Sequence, residues 1–163
     1  MVEKDIEYAM KSLILEANEG LVSITNEFSS DGIVRYNKRP VAILEFKLKR
    51  NFANENTLAQ VLCQTMCYYC KLIAKEQIDY SKPFYLIIGD ENEIVVINLH
   101  KMPNNWLLNK KWGEVAPSRA GKETDLMEVA TSMIKIVSPL YYKYEDTKDL
   151  SFGFKLIFST DLN

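Results

Sequence analysis

Ile6, Ala9, Met10, Leu13 and Ala17 recur at helical spacing between charged positions, which predicts an amphipathic helix over residues 2–18, closed by Asn18-Glu19-Gly20. Three runs of strand-like composition follow, over 21–28, 32–37 and 40–49, separated by the turn-type clusters Ser29-Ser30-Asp31-Gly32 and Asn37-Lys38-Arg39-Pro40. They predict an antiparallel meander. A long helical pattern covers 54–76, and strands over 83–89 and 93–99 are joined through Asp90-Glu91-Asn92. Residues 101–121 keep no regular period and predict a long connection with one short helix. A further helix is expected over 123–137, before Pro139, and two aromatic-rich runs, 140–144 and 152–159, as a terminal hairpin or as strands added to the sheet's edge. The order α-β-β-β-α-β-β, then a helix and strands, predicts an α/β fold with a mixed sheet between helices.

Composition narrows the chemistry. The 163 residues suit one domain, and 47% hydrophobic content with 6 Gly and 5 Pro excludes collagen-like and low-complexity chains. Twenty basic against 22 acidic residues leave a net charge of −2, so any contact with nucleic acid has to be local. One histidine, His100, excludes sites that need a histidine pair, leaving carboxylates and lysines, and is itself expected at the surface or hydrogen-bonded. Cys63, Cys67 and Cys70 share one helix edge without a fourth zinc ligand and read as buried thiols flanking the apolar arc. An odd cysteine number, no apolar run of about 18 residues and alternating charge at the N-terminus together predict a cytoplasmic protein with no membrane partner.

The chemistry-bearing stretch runs from Asp31 to Lys47. Side chains alternate across a strand, so Glu45 and Lys47 project from one face while Leu44, Phe46 and Leu48 project from the other. A tight return at residues 37–40 pairs the two strands and brings Asp31 next to Glu45. Two converging carboxylates form a hard oxygen site of the kind Mg²⁺ takes, which lowers the pKa of a coordinated water and neutralises phosphodiester charge, while an adjacent lysine orients that water. The bland alternative is an exposed cross-strand ion pair on a solvated sheet face. On the following helix, Leu58, Leu62, Thr65, Tyr69, Leu72 and Ile73 form a buried arc, and Gln60, Gln64 and Lys71 an opposed polar stripe with Tyr68 beside it.

Asp31 followed by Glu45-Phe46-Lys47 resembles the PD-(D/E)xK phosphodiesterase motif of the restriction-endonuclease-like superfamily, with Ser30 where that motif has proline. Within the superfamily the arrangement is most similar to the N-terminal nuclease domains of type I restriction motor subunits. The resemblance covers residues 1–100, an αβββαββ nuclease core, and leaves 101–163 as a helix-and-strand extension packed on the same domain. It implies a magnesium-dependent DNA endonuclease, with Mn²⁺ able to substitute, acting as a module of a restriction or repair enzyme whose other domains or subunits supply motor and specificity. It further implies Asp31, Glu45 and the Phe46 carbonyl as metal ligands and Lys47 as the residue that positions or activates water. Gln60 or Gln64 would orient Lys47 or the scissile phosphate, Gln64 and Tyr68 matching a Gln-x-x-x-Tyr form. Glu7 is the expected first-helix acid, with Glu3 and Glu16 as competitors. The alternative function is a nuclease-like fold that no longer cuts and serves in DNA binding or assembly.

Beyond the motif, Lys47, Lys49 and Arg50, with Lys38 and Arg39, are expected to gather positive charge around the site, and residues 90–93 to face away from DNA. Trp106, Trp112 and the Tyr141-Tyr142-Lys143-Tyr144 cluster suit core packing or an interface ahead of base stacking.

Overall fold

The computed structural model describes residues 2–28 and 30–143. Helix α1 (Glu3–Ala17) begins where the Asp5 carboxylate accepts the Val2 amide at 2.9 Å, satisfying one of the donors a helix start leaves without a partner. Its buried face is Ile6, Met10, Ile14 and Ala17. Ala9, expected inside, is exposed, because the 6-10-14-17 spacing turns it toward solvent and puts Ile14 against the sheet.

Strands β1 (Val22–Thr25), β2 (Gly32–Tyr36) and β3 (Arg39–Phe46) form the expected meander. The β2–β3 return uses Asn37 and Lys38, both left-handed at φ +49° and +66°, the arrangement whose twist matches a two-residue hairpin. Strands β1 and β3 are shorter than their apolar runs, ending at Thr25 and Phe46. Helix α2 (Glu55–Lys75) starts at Asn54, whose side chain accepts the Thr57 amide at 3.2 Å, and carries the chain over to β4 (Tyr85–Gly89), parallel to β3. Antiparallel β5 (Glu93–Asn98) follows.

Residues 101–121 are more structured than expected: two 3₁₀ turns and two short helices, α3 (Asn104–Leu107) and α4 (Pro117–Ala120), close around fully buried Trp112, whose indole N–H donates to the Trp106 carbonyl at 2.9 Å. This part is held by burial rather than by a periodic apolar stripe, which is why no pattern announced it. Helix α5 (Thr124–Val137) leads to β6 (Leu140–Lys143) at the sheet edge. The run over 152–159 and Tyr144 lie outside the described residues.

The result is a mixed α/β fold with a six-stranded sheet in the order β1-β2-β3-β4-β5-β6, flanked by helices. Alternation divides its core. Val34, Leu44, Phe46 and Ile87 meet α1 on one face, while Ile33, Ile43, Leu86 and Ile88 meet α2 and α5 on the other. Among the described residues no helix is long and apolar enough to cross a membrane.

Candidate active site

Glu45 belongs to the β3 face that carries Ile43, so it projects beneath α2, and Lys47 follows on the same side. The β2–β3 register sets Gly32 opposite Leu44, which puts Asp31 at the level of Glu45. Asp31 is fixed there by the Phe46 amide, which donates to its Oδ2 at 2.6 Å. Gly32 keeps this corner tight: a Cβ would meet Ile24 Cγ2 at 2.8 Å and Lys11 Cε at 3.2 Å, so a side chain here would displace Ile24 and the end of Lys11.

The electrostatics are those of crowded negative charge in a dry place. Glu45 is 3% exposed, which excludes a solvated surface ion pair. One oxygen, Oε1, accepts from Lys47 Nζ at 2.9 Å. The other, Oε2, is buried with no hydrogen-bond partner. Burial first, and then the charge of Asp31, push the Glu45 carboxyl up to about 7. Burial also raises Asp31, against the pull of the Phe46 amide and with help from Glu7 and Glu3. At Lys47 burial works against the charged form, but the charge and hydrogen bond of Glu45, then Glu3 and Asp31, outweigh it and raise the ammonium above its ordinary value. Lys47 therefore stays protonated.

A cleft of about 320 Å³ opens on the Lys47 side of these groups, its wall including Lys47, Arg50, Gln60, Gln64, Ser118 and Lys122 but neither carboxylate. The two glutamines of the α2 polar stripe thus share one cavity with Lys47. Gln64 Nε2 donates to the Tyr68 hydroxyl at 3.2 Å, and Tyr68, buried on α2, is raised by burial first and then by the charge of Glu45. Of the first-helix acids, Glu7 forms an ion pair with Lys11 at 2.6 Å and is the stronger of the two at Asp31, while the charge of Glu3 is felt at Asp31, Glu45 and Lys47. Glu16 stands roughly 13 Å along the axis from Glu7 and is exposed, outside the site.

Two expectations about charge need correction. Lys38 and Arg39 sit at the β2–β3 turn, roughly 20 Å along β3 from Glu45, so they add nothing locally. The acidic hairpin does not turn away from the site end of the sheet. Glu91 accepts the Lys49 amide, Asp90 the Arg50 amide and Glu93 the Phe52 amide, at 2.9 to 3.1 Å, and these bonds hold the loop that presents Arg50 to the cleft. Lys122 and Ser118 had no signal in the sequence, since only the packing of α4 against α2 brings them there.

The remaining candidates are structural. Cys63 and Cys67 are buried, their thiols pushed up by burial to about 12 and about 11, and Cys70 is half-buried. His100 Nε2 pairs with the Tyr69 hydroxyl at 2.8 Å and Nδ1 with the Lys82 carbonyl. Among the described residues no three His, Cys, Asp or Glu side chains come together as a metal-holding group. Asp31 and Glu45 are a pair, and a hard cation that keeps several waters needs no more than one or two carboxylates. The partnerless Glu45 oxygen beside a second carboxylate fits such an ion, which would satisfy the oxygen and relieve the repulsion at once. No protein-family model, curated protein or solved structure matches the chain.

Proposed function

We propose that the chain is a metal-dependent DNA endonuclease with a restriction-endonuclease-like core, acting as the nuclease module of a restriction or repair enzyme. The observation that carries this reading is the buried, unpartnered Oε2 of Glu45, set beside Asp31 and next to a protonated Lys47 that lines an open cleft. One ammonium, Lys47, serves two neighbouring carboxylates and leaves Glu45 Oε2 unsatisfied, and burying such charge is costly unless it is fully paired. The element order over the first hundred residues, αβββαββ, agrees with the resemblance carried by Asp31, Glu45 and Lys47.

Asp31, Glu45 and the Phe46 carbonyl would hold Mg²⁺, or Mn²⁺ in its place, whose contribution is Lewis-acid neutralisation of phosphodiester charge. The rest falls to the chain. Lys47, kept as an ammonium by Glu45, orients the attacking water and stabilises negative charge as it develops on the phosphoryl oxygens. A new P–O bond forms to the water oxygen as the bond to the leaving sugar oxygen breaks, and the water proton passes to solvent or to that leaving oxygen. Gln60 and Gln64 offer amide donors to the phosphate from the cleft wall, and Tyr68 fixes Gln64. Glu7, paired with Lys11, and Glu3 both extend negative field from α1 onto Asp31.

Incubation of supercoiled plasmid with the protein and Mg²⁺ or Mn²⁺ tests this. The expected result is metal-dependent nicking that falls by about 10² or more in Lys47→Ala, the loss typical of a removed charge-stabilising donor. Nicking that persists unchanged in Lys47→Ala, or in chelator, would contradict the mechanism.

A further inference from the structure

The cleft that Lys47 lines is built from two distant parts of the chain. One wall is α2, with Thr57, Gln60 and Gln64, and the other is the segment 117–122, which the resemblance to nucleases does not cover. That segment is seated firmly on the helix. Ala120 is fully buried, and Gly121 packs so close to α2 that a Cβ there would lie 3.1 Å from the Gln60 carbonyl oxygen and 3.2 Å from its Cα. Its φ is an ordinary −70°, so what glycine allows is the approach of two backbones. The Lys122 amide closes the turn by donating to the Arg119 carbonyl at 2.9 Å, and the Lys122 side chain is left exposed at the cleft.

Arg50 reaches the same cleft from the loop after β3. Its amide donates to fully buried Asp90 at 3.1 Å, and the Lys49 and Phe52 amides on either side are held by Glu91 and Glu93. The nearby carboxylates are thus engaged by backbone donors, and the guanidinium is left without a counter-ion. Among the described residues neither Arg50 nor Lys122 forms an ion pair, although Lys11, Arg35, Lys47, Lys75 and Lys111 all do. Charge at the cleft is one-sided as a result. Its wall carries Lys47, Arg50 and Lys122 among hydroxyls and amides, and among the described residues no carboxylate. Lys47 is already engaged by Glu45, and Asp31 adds a second negative charge to that pair. A phosphodiester brought up to these carboxylates is repelled unless further cations offset them. Arg50 and Lys122, held at the backbone and unpaired at their charged ends, are the cations of the wall placed to do so.

We propose that Arg50 and Lys122 clamp the DNA backbone by its phosphates in the cleft beside Lys47, so that the segment 117–122 is a substrate-binding element of the enzyme. The inference rests on the nuclease reading and assigns to its substrate two residues outside the Asp31, Glu45 and Lys47 motif. Contacts of this kind position DNA and carry no sequence information. Their signature is salt dependence.

Fluorescence anisotropy of a labelled duplex, in chelator and over a range of salt, tests this. Arg50→Ala and Lys122→Ala are each expected to weaken binding by about fivefold and to lower the slope of log affinity against log salt by about one, whatever the duplex sequence. In the double variant the slope should fall by about two. Lys101→Ala, on an exposed turn at the opposite end of the sheet, should change neither quantity. Inorganic phosphate at matched ionic strength should displace the duplex no better than chloride does, and selective displacement would make the cleft a free-phosphate pocket instead. No DNA binding by the wild type, or Arg50→Ala and Lys122→Ala proteins indistinguishable from Lys101→Ala, would likewise overturn the proposal. Metal-dependent cutting is read separately: reduced slopes without any cutting would sink the hydrolytic reading and support the clamp, and cutting with unchanged slopes would do the reverse.

Discussion

Glu45 carries an electrostatic burden that folding alone does not explain. It titrates at about 7 in the folded chain against an ordinary 4.5, so between those values the folded state holds a proton that the unfolded chain has released. A group whose folded pKa is raised loses stability as pH rises. Near pH 8, and without metal, this costs on the order of 3 kcal/mol, the help of Lys47 already counted in it. Glu45→Gln is therefore expected to raise the melting temperature in chelator at pH 8 by about 3 °C, the equivalent of roughly 1 kcal/mol, and to leave it nearly unchanged at pH 5. A lower melting temperature at pH 8 would make Glu45–Lys47 a stabilising ion pair and nothing more. Strand alternation was enough to put Glu45 and Lys47 on one face, and the tight return at residues 37–40 to bring Asp31 beside Glu45. It could not choose between Glu3 and Glu7, because that depends on how α1 packs on the sheet. Nor could it find Lys122 or Ser118, which lie more than seventy residues from Lys47 along the chain and reach the cleft only through tertiary packing.

The elements around the site are held by polar devices at their ends. Arg35 on β2 joins Glu27 at 2.8 Å and Glu76, just past α2, at 2.7 Å, and so ties the helix end to the meander. Glu27 is brought down to about 2, by the Thr25 hydroxyl first and, against burial, by Arg35; Arg35 lowers Glu76 as well. Carboxylates with depressed folded pKa values add stability above their unfolded values near 4.5, and that stability is lost as pH falls toward 2. Arg35→Ala should then lower the unfolding free energy by about 1 to 3 kcal/mol at pH 7, with a clearly smaller difference at pH 3. Urea titrations at the two pH values check this, and an equal loss at both would remove the carboxylates from the account. Elements with a strong period, α1, α2, α5 and the meander, were legible in advance. The segment from α3 to α4 was not, since its order comes from burying Trp112 beneath irregular turns.

At the scale of the molecule, the sheet separates two cores, and the site lies where the β3 end meets α2 and the chain following β5 returns as α4 and α5. A net charge of −2 conceals a local arrangement in which Lys47, Arg50 and Lys122 surround one cleft. The acidic hairpin that composition set against DNA binding spends its carboxylates on backbone amides of the Lys49–Phe52 loop. The proposed chemistry rests on the meeting of Asp31 and Glu45, one of whose buried oxygens has no hydrogen-bond partner. Isothermal titration of Mg²⁺ or Mn²⁺ into the wild-type protein and into Asp31→Ala tests that most directly. The account predicts one saturable site in the wild type, weakened by about tenfold or more when a ligating carboxylate is removed. Equal affinity in the two proteins would contradict it.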